Sequence, residues 1–154
     1  MSEVPEGVDL SGFVRKPPRP TATMTLTRDG PNGPEVLLGL RSETMAAFPG
    51  YWAFTGGGVS RVDTAAVESF SVLDVEHGKF IACILRETCE ELGVAPNGDH
   101  VISIDENARF DVIKDKANWL PHAEDCNIPV NTDNINILGH RITPPFGPVQ
   151  FDNA

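Results

Sequence analysis

A chain of 154 residues with 40% hydrophobic content holds enough apolar material for one globular domain with its own core, without disulfide staples. Its formal net charge of −10 and pI near 4.7 exclude a broad electrostatic footprint for the bare backbone of DNA or RNA. An acidic chain still binds a polyanion when divalent cations stand between its carboxylates and the phosphates.

Residues 1–20 begin acidic and polar, unlike a signal peptide, and no apolar run approaches membrane-spanning length, so no membrane partner is expected. They end in Arg15-Lys16-Pro17-Pro18-Arg19-Pro20, where proline removes backbone donors and favours an extended, solvated N-terminal arm. A domain over residues 21–154 should follow.

Residues 21–28 alternate threonine with apolar side chains, and residues 35–40 follow a turn-rich stretch of glycine, proline and asparagine; the two read as strands of one hairpin. Residues 41–50 read as loop and residues 51–54 as a short strand, with Tyr51, Trp52 and Phe54 expected in the core. Gly56-Gly57-Gly58 reads as a turn where backbone comes unusually close to another group. A short helix is expected over residues 63–70.

In residues 78–92 the side chains Ile81, Ile84, Leu85, Thr88 and Leu92 recur at helical spacing, while Arg86, Glu87, Glu90 and Glu91 crowd the other side. Gly93 supplies the C-terminal stop. Further strands are expected at residues 101–104, 135–143 and 149–152, with residues 106–119 partly helical.

Glu87 lies three residues before Glu90 and four before Glu91, so the three carboxylates can reach one patch of the helix. Like charges that close repel, and hard oxygen ligands are what magnesium or manganese requires, so a bare site should be half built. Arg86 can pin a carboxylate with its planar guanidinium. The glycines at Gly56, Gly57 and Gly58 can offer a carbonyl to a metal or an N–H to a phosphate. The same six residues, Arg86 to Glu91, would also serve as an ordinary solvated helix face.

Arg86-Glu87-Thr88-Cys89-Glu90-Glu91-Leu92-Gly93-Val94 resembles the second half of the Nudix box, G-x5-E-x7-R-E-U-x-E-E-x-G-U, with Thr88 in an apolar slot. Phe54-Thr55-Gly56-Gly57-Gly58-Val59 is similar to the start of that box, Gly57 taking the box glycine and Asp63 the place of the first glutamate. Between Asp63 and Arg86 lie 22 residues rather than seven, an insertion of 15. Such an insertion is similar to that of the Nudix branch of the peroxisomal coenzyme A diphosphatase. Leu40-Arg41-Ser42, Phe48-Pro49-Gly50, Ile142-Thr143-Pro144 and Gln150-Phe151-Asp152 resemble that branch more loosely.

The resemblance implies an α/β fold, a Nudix-type α/β/α sandwich around a mixed sheet. Since a Nudix domain normally continues through another strand and a helix, it also implies a domain shortened at its C-terminus. It implies hydrolysis of the pyrophosphate bond in nucleoside diphosphate derivatives, with coenzyme A or acyl-coenzyme A as candidate substrates and Mg2+ or Mn2+ as cofactor. Glu87, Glu90 and Glu91 would ligate the metal with a carbonyl of Gly56 or Gly57, and catalysis would rest on these glutamates and Arg86. Gly57 and Gly58 would face the substrate.

Arg41, at a strand end, could bind a substrate phosphate, although arginines there are commonly surface cations. His77, His100, His122 and His140 lack ligand-like spacing, and Cys83 and Cys89 read as packing residues. Cys83, Cys89 and Cys126 form no C-x-x-C pair and leave one thiol over from any pairing, which points to a reducing, cytoplasmic compartment. The expected partners are a small nucleoside diphosphate derivative and a second copy in a homodimer, not nucleic acid. A non-catalytic Nudix-like nucleotide-binding module is the alternative reading.

Overall fold

The computed structural model describes residues 6–7, 17–45, 48–69, 75–115, 118–130, 132, 134–144 and 150–154. Most of the expected arm, the last residue of the helix expected over 63–70 and the first of the strand expected over 149–152 lie outside them.

The first strand, β1 (Arg19–Met24), starts two residues inside the expected arm, because Arg19 pairs with Phe151. It does not form the expected hairpin. That hairpin closes between β2 (Thr27–Gly30) and β3 (Gly33–Val36), which pair antiparallel around Pro31 and Asn32. Gly33 takes φ +121°, a value glycine supplies without a Cβ clash.

β4 (Gly39–Leu40) and β5 (Trp52–Ala53) form a separate two-stranded ladder. The expectation of a buried aromatic strand is corrected here: Tyr51 is 64% exposed, Trp52 65% and Phe54 46%. A strand paired on one edge within a two-stranded ladder leaves its side chains little to pack against.

The three glycines form a strand rather than a turn. β6 (Thr55–Gly58) pairs antiparallel with β1, and β1 pairs parallel with β10 (Phe151–Asn153), which pairs antiparallel with β9 (Arg141–Ile142). The resulting four-stranded sheet has the order β6-β1-β10-β9 and is mixed. The strands expected over residues 135–143 and 149–152 are thus realised only at these short ends.

After β6 the chain enters α1 (Arg61–Ala66), runs through a 3-10 turn (Val67–Ser69), and later forms α2 (Val75–Leu92). Gly93 ends α2 at φ +65°, its N–H donating to the Cys89 carbonyl at 3.0 Å. β7 (Val94–Asn97) and β8 (His100–Ser103) form a hairpin, followed by α3 (Glu106–Lys114) and α4 (Trp119–Asp125).

The core is built on both sides of α2. Phe80, Cys83 and Ile84 pack with Ala22 of β1, and Ile81, Ala82, Leu85 and Cys89 pack with Val112 of α3 and Trp119, Leu120 and Ala123 of α4. A helix between two apolar partners keeps little solvent face, and Arg86 is only 3% exposed. Of the expected polar side of the helix, Arg86 is interior, Glu87 and Glu90 are half-buried and Glu91 is exposed. Among the described residues no helix is long and apolar enough to cross a membrane.

Candidate active site

β6 lies along α2, and its glycines set the spacing between them. A Cβ on Gly56 would run into the Ala22 carbonyl oxygen and the Thr23 backbone, whereas one on Gly57 would run into the Glu87 carboxylate. Close approach, expected from the sequence as the property of a turn, is here a property of a strand packed on both a neighbouring strand and a helix.

Arg86 is the hub. Its Nε donates to Asp63 Oδ1 at 2.8 Å and its Nη2 to Asp63 Oδ2 at 2.9 Å, a bidentate pair. Its Nη1 lies 2.9 Å from Glu87 Oε1 and 3.1 Å from Glu90 Oε1, and its Nη2 donates to the Gly58 carbonyl at 3.4 Å. Three carboxylates thus share one guanidinium, which leaves the cluster with an excess of negative charge.

Asp63 is fixed from the other side. Ser60 is the N-cap of α1, and both its N–H and its hydroxyl donate to Asp63 Oδ2, at 2.8 and 2.7 Å. In return the Ser60 oxygen accepts from the Asp63 N–H at 3.4 Å, completing a capping box.

Glu91 is held separately. Its Oε2 accepts from the Thr55 hydroxyl at 2.6 Å and from the Gly56 N–H at 3.1 Å, so the last turn of α2 is tied to the start of β6. From the opposite side, Arg109 of α3 donates through Nε and Nη2 to the Glu90 carbonyl at 3.1 and 2.7 Å. These carbonyls at the helix C-terminus lack intrahelical partners, and a guanidinium there also meets the negative end of the helix dipole.

Burial pushes the Glu87 carboxyl above its ordinary range; Arg86 opposes the shift, and the charges of Glu90 and Glu91 add to it. Burial also works against the charge on Arg86, but the Asp63 hydrogen bonds and charge hold it above its usual value. Cys83, whose thiol lies 3.7 Å from the Gly57 carbonyl, is pushed up to about 12 by burial and then by Asp63. It is a packing thiol.

The donor set suits a hard divalent cation: three glutamates within one turn and a half of helix, beside a glycine backbone, with more negative than positive charge. Among the described residues no three His, Cys, Asp or Glu side chains are gathered close enough to hold a cation together. Glu87 and Glu90 turn to Arg86, and Glu91 turns to Thr55.

A crystal structure of a NUDIX hydrolase from Alicyclobacillus acidocaldarius is similar to this chain, with 26% identity and a TM-score of 0.72 over 91% of this chain and 68% of that one. The fold is that of a Nudix hydrolase. No family model and no curated protein matches the sequence.

Within this Nudix fold, Arg86, Glu87 and Glu90 meet beside Gly57 and Gly58, while Glu91 is held apart from them by Thr55 and the Gly56 N–H. Arg41 lies apart from that sheet, following β4, where its N–H donates to the Tyr51 carbonyl at 2.9 Å. Thr55, Ser60 and Arg109 were not singled out from the sequence. Ser60-x-x-Asp63 carries a readable signal, the spacing of a capping box. Arg109 carries none, since its role depends on how α3 docks.

Proposed function

We propose that the chain is a divalent-metal-dependent hydrolase of the pyrophosphate bond in nucleoside diphosphate derivatives, acting in the cytoplasm, with coenzyme A or acyl-coenzyme A as the substrate class. The observation that supports this reading is the engagement of Glu87 and Glu90 by Arg86, with Glu91 one turn on and bound to the β6 backbone, in a chain similar to a Nudix hydrolase.

Glu87, Glu90, Glu91 and the carbonyls of Gly56 and Gly57 would hold Mg2+ or Mn2+, which when bound neutralises phosphate charge and makes water a better nucleophile. Arg86 orients Glu87 and Glu90 through its buried fork. Gly57 and Gly58 would offer backbone to the phosphates, with open space where a Gly58 side chain would stand, and Arg41 would add a cation for the distal phosphate. Water adds to one phosphorus, the P–O bond to the bridging oxygen breaks, and no covalent enzyme intermediate forms. The catalytic domain in this reading spans residues 21–154, and it works as a homodimer on a small molecule.

Product analysis after incubation with coenzyme A, ADP-ribose, NADH and dinucleotide polyphosphates, with and without magnesium, tests class and substrate together. Magnesium-dependent release of a 3′,5′-ADP-containing product from coenzyme A is expected. Binding of these compounds with no product from any of them favours the second reading, a non-catalytic nucleotide-binding module. That reading draws on the engagement of Glu87 and Glu90 by Arg86.

A further inference from the structure

Three hydrogen-bonded steps lead from the start of α1 to the two glutamates. The Ser60 hydroxyl and N–H hold Asp63 Oδ2, Asp63 holds both edges of the Arg86 fork, and the remaining Arg86 nitrogen faces Glu87 and Glu90. Asp63 is fully buried and Arg86 nearly so, which leaves no water to substitute for a lost partner. A guanidinium is planar, so fixing two of its nitrogens on Asp63 fixes the direction of the third.

We propose that Ser60 is a positioning residue that sets, through Asp63 and Arg86, the orientation of the Glu87 and Glu90 carboxylates toward a bound cation. The inference rests on the metal-site reading above. Ser60 has two separable duties. As N-cap it starts α1, and as hydroxyl donor it satisfies Asp63 Oδ2, a lone-pair direction that Asp63 would otherwise turn toward another donor.

Substitution separates the duties, because glycine is nearly as good an N-cap as serine while alanine is a poor one. Ser60→Gly keeps the helix start and removes the hydroxyl; Ser60→Thr keeps both. The experiment compares wild type, Ser60→Gly, Ser60→Ala and Ser60→Thr by two measurements. One is the affinity for Mn2+ alone, from the free-Mn2+ electron paramagnetic resonance signal. The other is hydrogen exchange at the Arg86 Nε–H by NMR without metal.

Ser60→Gly and Ser60→Ala are each expected to weaken Mn2+ binding by about tenfold, the lower end for loss of a group that orients a metal ligand. Arg86 Nε–H exchange should quicken at least about tenfold in both, with Ser60→Thr within about twofold of wild type in each measurement. Wild-type affinity and exchange in Ser60→Gly, with loss only in Ser60→Ala, would reduce Ser60 to a helix cap and overturn the proposal. If wild type binds no Mn2+, the metal-site reading fails, and the exchange rates alone decide whether Ser60 orients Arg86.

Discussion

Arg86 and Asp63 meet through two parallel hydrogen bonds of 2.8 and 2.9 Å, with their side chains 3% and 0% exposed. Removing one member leaves the other charged and buried, a loss of about 3–5 kcal/mol. Arg86→Met should therefore lower the unfolding free energy by that amount, seen as a lower urea midpoint at an unchanged slope. A loss below about 1 kcal/mol would mean that water reaches Asp63 more freely than this burial allows.

Mg2+ or Mn2+ should raise the melting temperature, because a ligand that binds only the folded state stabilises it, by about 2.7 kcal/mol at a hundred times its Kd. The Glu90→Gln, Glu91→Gln double variant should lose the shift. An equal shift in that variant places the cation elsewhere.

Glu91→Gln nearly preserves shape and removes one negative ligand. It should lower turnover on a coenzyme A-like diphosphate by at least about a hundredfold, which corresponds to about 2.7 kcal/mol of barrier. Wild-type turnover at saturating magnesium would make this carboxylate a fastener between α2 and β6 and nothing more.

The raised Glu87 carboxyl gives a pH signature without metal. Its folded state holds the proton more tightly than the unfolded state, so this group weakens folding as pH rises from the ordinary glutamate range through the raised value, with no further change above. Denaturation curves from pH 4 upward should show a smaller loss with rising pH for Glu87→Gln than for wild type over that window, which opens at the ordinary glutamate value. Parallel curves would show that Arg86 fully offsets the burial.

Cysteine reactivity offers a simple count. Cys126 is exposed, while Cys83 and Cys89 are buried with thiols pushed up to about 12 and about 11 by burial first. Since the thiolate is the reactive form, a disulfide reagent at pH 8 should titrate one thiol in the native protein and all three cysteines in denaturant. A second fast-reacting native thiol would show that the α2 packing opens.

The helix α2 and the meeting of Arg86 with Glu87 and Glu90 were legible from spacing, because a helical repeat fixes which side chains can meet; the separate hold of Thr55 and Gly56 on Glu91 was not. Nor was β6. Glycine disfavours strands, and Gly56 to Gly58 extend only because β1 pairs with them and Glu91 takes the Gly56 N–H. β7 escaped notice for a similar reason, since Pro96 argues against a strand that β8 nevertheless completes. The aromatics Tyr51, Trp52 and Phe54 fit a core by composition, yet composition does not say whether a strand finds a second partner. Arg86 pins a carboxylate as expected, but its burial by α1 and β6, through Asp63 and the Gly58 carbonyl, rules out the alternative of a solvated face there and was not visible in the spacing. Ala66 and Val67 in the connection between Asp63 and α2 are buried, so the insertion is not only surface structure.

The hold of Arg109 on the Glu90 carbonyl bears on protein engineering. Its grip comes from α3, after the whole β7–β8 hairpin, while the order of the carboxylates comes from Ser60 and Asp63 ahead of α2. Transplanting α2 alone onto a foreign scaffold would carry the glutamates and lose their alignment. The smallest portable unit therefore runs from β1, which holds β6 extended, to Arg109.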